Sequence, residues 1–148
     1  MLLEPALPMT PAGAAFGRVM APLTERYEAG DAEGAVHGFL ALVGDRNWRA
    51  TIERTVPGGI DQAVTYAATF FVTELPGPTW NFGPEQVAAI TRPVLSILGS
   101  RSSSLFVQSR QLLHTWFPAC QDADIVGVTH LLQMQAPRPV AAAIAAFL

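Results

Sequence analysis

Apolar and polar positions follow three different rhythms along this chain. Residues 1–9 open on a short apolar run, Met1-Leu2-Leu3, stopped by Glu4-Pro5. Proline fixes φ and donates no hydrogen bond, so a strand is expected to end there. Residues 10–90 repeat apolar side chains at helical spacing between breakers. Phe16, Val19, Leu23 and Tyr27 fall on one helix face, and Pro22 is expected to kink or restart that helix. Asp31 fits an N-cap for a second helix whose inner face is Val36, Phe39, Leu40 and Val43 and whose end is Gly44. Trp48, Ile52 and Val56 mark a short third helix closed by Pro57-Gly58-Gly59. Ile60, Val64, Ala67, Phe71 and Leu75 carry the cleanest helical period, broken by Pro76-Gly77-Pro78. A short helix is expected over 84–90.

Residues 91–148 read differently. The run Val94-Leu95-Ser96-Ile97-Leu98-Gly99 has the length and β-branched content of a buried parallel strand. A helix follows over 105–117, with Leu105, Leu112, Leu113 and Trp116 on one face and Pro118 as its stop. A second short strand is expected over 124–128, ending at Thr129-His130. The last element is a helix over 137–148, with Pro139 tolerated in its first turn and Val140, Ile144, Phe147 and Leu148 as its inner face. Strand, helix, strand, helix implies parallel strands joined by helical crossovers. With the strand at 1–3, the fold class is α/β: three short parallel strands and a mostly helical insertion.

Composition narrows the function classes. Half of the 148 residues (50%) are hydrophobic and 14% are charged, which suits one domain with a core and excludes intrinsic disorder. The nine basic residues are all arginines, scattered singly, so no basic stripe invites nucleic acid. The longest uncharged apolar run, 140–148, is far short of the ~20 residues of a membrane span. The start carries Glu4, two prolines and no positive charge, unlike a signal peptide. A single cysteine, Cys120, forbids an internal disulfide and points to a reducing, cytoplasmic setting.

His130 is the informative titratable group. It follows the last expected strand, in Gly127-Val128-Thr129-His130-Leu131-Leu132. In an open parallel sheet, functional groups gather beyond the carboxyl ends of the strands. A histidine there suits general acid–base work near neutral pH, although a histidine satisfied by local backbone has the same spacing.

At this point the residues resemble a family. The strand Pro93-Val94-Leu95-Ser96-Ile97-Leu98-Gly99, a helix, a last strand into Gly127-Val128-Thr129-His130-Leu131-Leu132-Gln133, and a closing helix ending in Phe147-Leu148 resemble the end of an α/β-hydrolase. The resemblance implies that residues 1–9 are the remnant of the sixth core strand and 10–90 a helical cap, or lid, over the active site. Residues 91–148 would be the terminal strand-helix-strand-helix of the core. His130 would be the catalytic base. Its carboxylate partner, needed to fix the tautomer and stabilise the cation, commonly sits in a Gly-x-x-Asp arrangement after the seventh strand. Here that stretch reads Gly99-Ser100-Arg101-Ser102, with serine at the acid position. A subset of the family places the acid after the sixth strand, where this chain has Glu4. Carboxyl ends of neighbouring parallel strands lie side by side, so Glu4 and His130 could meet.

No Gly-x-Ser-x-Gly nucleophile elbow occurs in the 148 residues. The resemblance therefore implies a truncated, C-terminal part of a hydrolase whose parent acts on small apolar ester-like substrates, with a serine or aspartate nucleophile upstream. A separate N-terminal chain could complete it. The other reading is a non-enzymatic α-rich binding or assembly protein, dimerising through a long edge at Met1–Leu3 and apolar helix faces.

The remaining candidates are weaker. Ser100, Ser102, Ser103 and Ser104 fit turn and cap roles, and Asp122 and Asp124 are expected ahead of the last strand, in solvent. His37 and His114 share no metal-ligand spacing with each other or with carboxylates, and no cofactor or metal motif is present. Nothing adjacent would activate Cys120. Phe70-Phe71 and Trp80-Asn81-Phe82 suit cap packing or an apolar pocket. Gln133 and Gln135 flank the His130 loop without an evident role.

Overall fold

The structure, a computed structural model, describes residues 1–75 and 82–148. The Pro76-Gly77-Pro78 breaker and Trp80-Asn81 lie outside the described residues. Along the chain come β1 (Leu2–Leu3), α1 (Pro11–Glu28), α2 (Ala32–Val43), α3 (Trp48–Thr55), α4 (Gly59–Thr65) and a π-helical turn over Thr69–Glu74. Then follow α5 (Pro84–Ala88), β2 (Leu95–Gly99), α6 (Ser104–Trp116), β3 (Gln121–Ile125), α7 (Leu132–Gln135) and α8 (Pro137–Phe147). The protein is mixed α/β with a three-stranded parallel sheet in the order β1-β2-β3. It divides into two units, Met1–Ala15 with Asn81–Leu148, and Phe16–Trp80, the division falling within α1. Among the described residues no helix is long and apolar enough to cross a membrane.

The sheet unit is two-faced because side chains alternate along a strand. Leu3, Leu95, Ile97, Ala123 and Ile125 project to one side and pack against Leu132 of α7 and Val140, Ala143, Ile144 and Phe147 of α8. The opposite side is mixed, with Leu2 and Leu98 beside polar residues. There Ser96, Asp122 and Asp124 meet Arg110 of α6, whose guanidinium lies 2.5 Å from Asp124 and 3.5 Å from Asp122. This explains why the last strand runs 121–125 rather than 124–128. Gln121-Asp122-Ala123-Asp124-Ile125 is a period-two strand whose acidic positions stay exposed, as expected, and are also paired by an arginine. Leu148, expected inside, is 96% exposed because α8 ends at Phe147. The β1 edge is two residues long, not the long edge expected.

In the helical unit, Met20, Ala35, Val36, Ala67 and Phe71 form the core. Phe16, Leu23 and Tyr27 join it from α1, but Met20 takes the place expected for Val19, which is half exposed. The inner stripe therefore runs 16-20-23-27. The helix continues through Pro22 without restarting. Tyr27 stacks on Phe71 at 5.0 Å and Phe39 packs tilted against Phe70 at 4.4 Å, so Phe70 and Phe71 are spent in this core. Ile60, Val64, Ala67, Phe71 and Leu75 belong to two segments rather than one helix: α4 ends at Thr65 and the π turn begins at Thr69. Val56 ends α3 as its exposed C-cap.

Asp31 caps α2 as its sequence position suggests. Its carboxylate accepts the Gly34 N–H at 2.9 Å and pairs with Arg26. That backbone bond first, and then Arg26, hold the Asp31 carboxyl below its ordinary value of 3.8. A carboxyl acidified by folding contributes stability above its unfolded value and loses it as pH falls through the folded one. Asp31→Ala is therefore expected to lower the thermal midpoint at neutral pH, and thermal melts should show the deficit closing as pH drops below 3.8. A deficit independent of pH would contradict the cap.

Candidate acid–base site at the carboxyl ends of the strands

Glu4 lies just past β1 and keeps the sheet register for one more step, donating its N–H to the Ile97 carbonyl at 3.2 Å. Its backbone then turns into the left-handed region, φ 44°, immediately before Pro5. Non-glycine residues rarely adopt that conformation, and a following proline restricts the backbone further. The turn places the carboxylate inside the protein, with the residue only 3% exposed.

Three donors meet it there. The Gly99 N–H reaches Oε1 at 2.6 Å, and the Ser102 hydroxyl donates to the same oxygen in a very short bond. Oε2 faces His130 Nδ1 at 2.8 Å. A carboxylate only accepts, so Nδ1 carries the proton and a neutral ring leaves Nε2 with a free lone pair. Among the described residues Nε2 has no hydrogen-bond partner, and 30% of the His130 side chain is exposed. Phe106 of α6 stacks flat on the imidazole, centroids 4.2 Å apart and planes 7° from parallel. The ring is thus fixed by its edge and by its face.

Two loops are laced together beneath this pair. Ser100 N–H donates to the Ile125 carbonyl at 2.9 Å, Arg101 N–H to Val128 at 2.9 Å, and Gly127 N–H to Ser100 Oγ at 2.8 Å. A Cβ at Gly99 would stand 2.6 Å from the Val128 carbonyl and 2.9 Å from that of Thr129, so this position admits only glycine without displacement. Gln135 Oε1 accepts both the N–H (2.7 Å) and the hydroxyl (3.1 Å) of Thr129, fixing the residue before His130. The 5–13 segment is tied down by α6: Leu7 N–H donates to the buried Ser109 hydroxyl at 3.1 Å, and Ala12 N–H to Gln108 at 2.9 Å.

Glu4 and His130, the two residues singled out from the sequence, thus come together. Ser102, at the position where the resemblance expects an acid, donates to the acid instead. Sequence reading missed Phe106 and Ser109, and placed Gln135 beside the His130 loop without a role. The apolar period of α6 gave half of the signal for Phe106, but nothing local marks Ser109 or Gln135. His37 belongs to the helical unit, where Arg49 (3.1 Å) and Glu33 (3.8 Å) flank it. The sequence gives His114 no ligand spacing. In the fold its Nε2 lies 3.0 Å from Asp122, and Cys120 completes a group of three whose donor atoms fall within 4.8 Å of one another. Burial first, and then the Asp122 charge, push the Cys120 thiol up from its ordinary value.

The Glu4 carboxylate makes a specific prediction about tautomers. In Glu4→Gln, the Gly99 N–H and Ser102 hydroxyl hold the amide oxygen at the Oε1 position. The NH2 must then face His130 Nδ1, which has to become an acceptor. Nitrogen NMR of the neutral ring is expected to show Nδ1 protonated in the parent and Nε2 protonated in the variant. An unchanged tautomer would contradict the geometry. Gly99→Ala is expected to cost about 1–3 kcal/mol by crowding, and Ser102→Ala about 1.5–3 kcal/mol through a lost bond to a charged group, both read as shifts in the urea midpoint.

The chain matches no protein-family model, no curated protein and no solved structure, and its site is read on its own geometry.

Proposed function

We propose that this chain is the acid–base part of an α/β-hydrolase-type enzyme acting on small apolar ester-like substrates. His130 is the general base, Glu4 orients it, and the nucleophile is supplied from outside these 148 residues. The observation that carries the reading is the Glu4–His130 contact, made across 126 positions and held from three sides. His130 Nε2 would take the proton of an attacking hydroxyl, Glu4 would stabilise the imidazolium through Nδ1, and the proton would pass on to the leaving group. Without a nucleophile and backbone donors for the oxyanion, the pair alone gives no covalent acyl transfer. The outer edge of β1 supports the reading. It ends the sheet order β1-β2-β3, and the resemblance puts the elbow-bearing strand next to it.

That same edge favours a second reading, an assembly protein that pairs through β1, where Met1 is 56% exposed. Sedimentation of a monomer that resists concentration would remove it.

The catalytic reading is tested in two steps. The purified chain is expected to hydrolyse p-nitrophenyl acyl esters no faster than buffer. Joined to, or co-expressed with, a chain that supplies a nucleophile elbow, it is expected to turn them over, and His130→Ala should remove at least about 10³-fold of that rate. Turnover by the isolated chain that depends on His130 would refute an external nucleophile. An extended protein whose activity ignores His130 would refute the acid–base assignment.

A further inference from the structure

We propose a second, separate site: a zinc-class metal centre formed by His114, Cys120 and Asp122 at the amino-terminal end of β3. The three come from consecutive elements. His114 lies in the last turn of α6, Cys120 in the turn that leads out of it, and Asp122 in β3. Each is placed by backbone structure. Cys120 N–H donates to the Phe117 carbonyl at 2.8 Å, and Asp122 pairs in register with Ser96 of β2. Their donor atoms lie within 4.8 Å of one another, with His114 Nε2 and Asp122 Oδ2 only 3.0 Å apart.

Tetrahedral zinc with ordinary bonds to sulfur, nitrogen and oxygen holds its ligand atoms about 3.3–3.7 Å apart. The group therefore needs to open by a few tenths of an ångström on one side and close by about one on another. One imidazole, one thiolate and one carboxylate suit a borderline cation such as Zn²⁺. Calcium and magnesium take oxygen ligands alone. Binding converts the Cys120 thiol to a metal thiolate and releases its proton to solvent, the proton that His114 Nε2 directs at Asp122 moves to Nδ1 so that Nε2 can ligate, and the fourth position falls to water. Arg110 is the opposing charge. It approaches Asp122 through Oδ1 at 3.5 Å, leaving Oδ2 to the metal, and finds its closer partner in Asp124 at 2.5 Å. The site shares no residue with the Glu4–His130 pair, at the other end of the strands, so the failure of one proposal leaves the other standing.

The test uses the untagged, metal-stripped full chain and the metal alone. Titration with Co²⁺ is expected to give a near-ultraviolet thiolate-to-cobalt band and visible bands of tetrahedral strength, saturating at one ion per chain. Zn²⁺ should bleach both. Cys120→Ser should abolish the near-ultraviolet band, and His114→Ala and Asp122→Asn should each weaken Zn²⁺ binding by more than about tenfold in calorimetry. The parent spectrum needs no variant to be informative. A missing thiolate band, saturation at half an ion per chain, or equal Zn²⁺ affinity in parent and Cys120→Ser would each overturn the proposal.

Discussion

A carboxylate taken out of water has to be met by donors, and the carboxyl end of this sheet is organised around meeting one. Glu4 follows a strand of two residues and sits in a backbone conformation that costs about 1–3 kcal/mol, yet it is almost fully buried. Its bonds to the Gly99 N–H, the Ser102 hydroxyl and His130 offset that cost, because bonds to a charged group are the strong ones. The same demand explains the bare backbone at Gly99. A side chain there would push away the two carbonyls that carry the His130 loop. Among the described residues no buried side-chain nitrogen or oxygen is left without a partner.

One helix connects these parts. α6 gives Phe106 to the face of His130, Ser109 and Gln108 to the chain after Glu4, Arg110 to the mixed side of β2 and β3, and His114 to Asp122. Arg110 alone bonds Ser96, Asp124 and the Ser96 and Ala123 carbonyls. An arginine in that place makes the polar positions on that sheet face tolerable, since its fork of donors can serve several acceptors at once. The apolar half of the sheet is then free to build a conventional core against α8.

What the sequence disclosed follows from the range of the forces involved. Asp31 was legible as a cap because the bond it makes spans three residues. β2 was legible because five consecutive residues are nearly all buried. The meeting of Glu4 with His130 could be anticipated from a rule about parallel strands, without any local signal linking the two residues. β3 was misplaced by three residues, because its acidic positions look like a loop until Arg110 is set against them. The break after Thr65 was hidden too. Ile60, Ala67 and Phe71 keep an apolar rhythm across it, and spacing cannot distinguish one helix from two segments sharing a core. The grouping of His114, Cys120 and Asp122 was invisible for a similar reason. A helix end and a strand start bring them together, at spacings no motif repeats.

The two ends of the sheet also differ in how much of their chemistry is already committed. At the carboxyl end every donor around Glu4 is assigned, and among the described residues the open valence is His130 Nε2. At the amino end the side chains are mutually close but loosely matched. Asp122 is shared between His114 and Arg110, and the Cys120 sulfur reaches its neighbour's carbonyl at 3.6 Å. Eight residues of α6, about 12 Å of helix, separate Phe106 from His114, with Arg110 midway between them. A proton on His130 would lie within hydrogen-bond distance of Glu4, while Arg110 already sits 2.5 Å from Asp124.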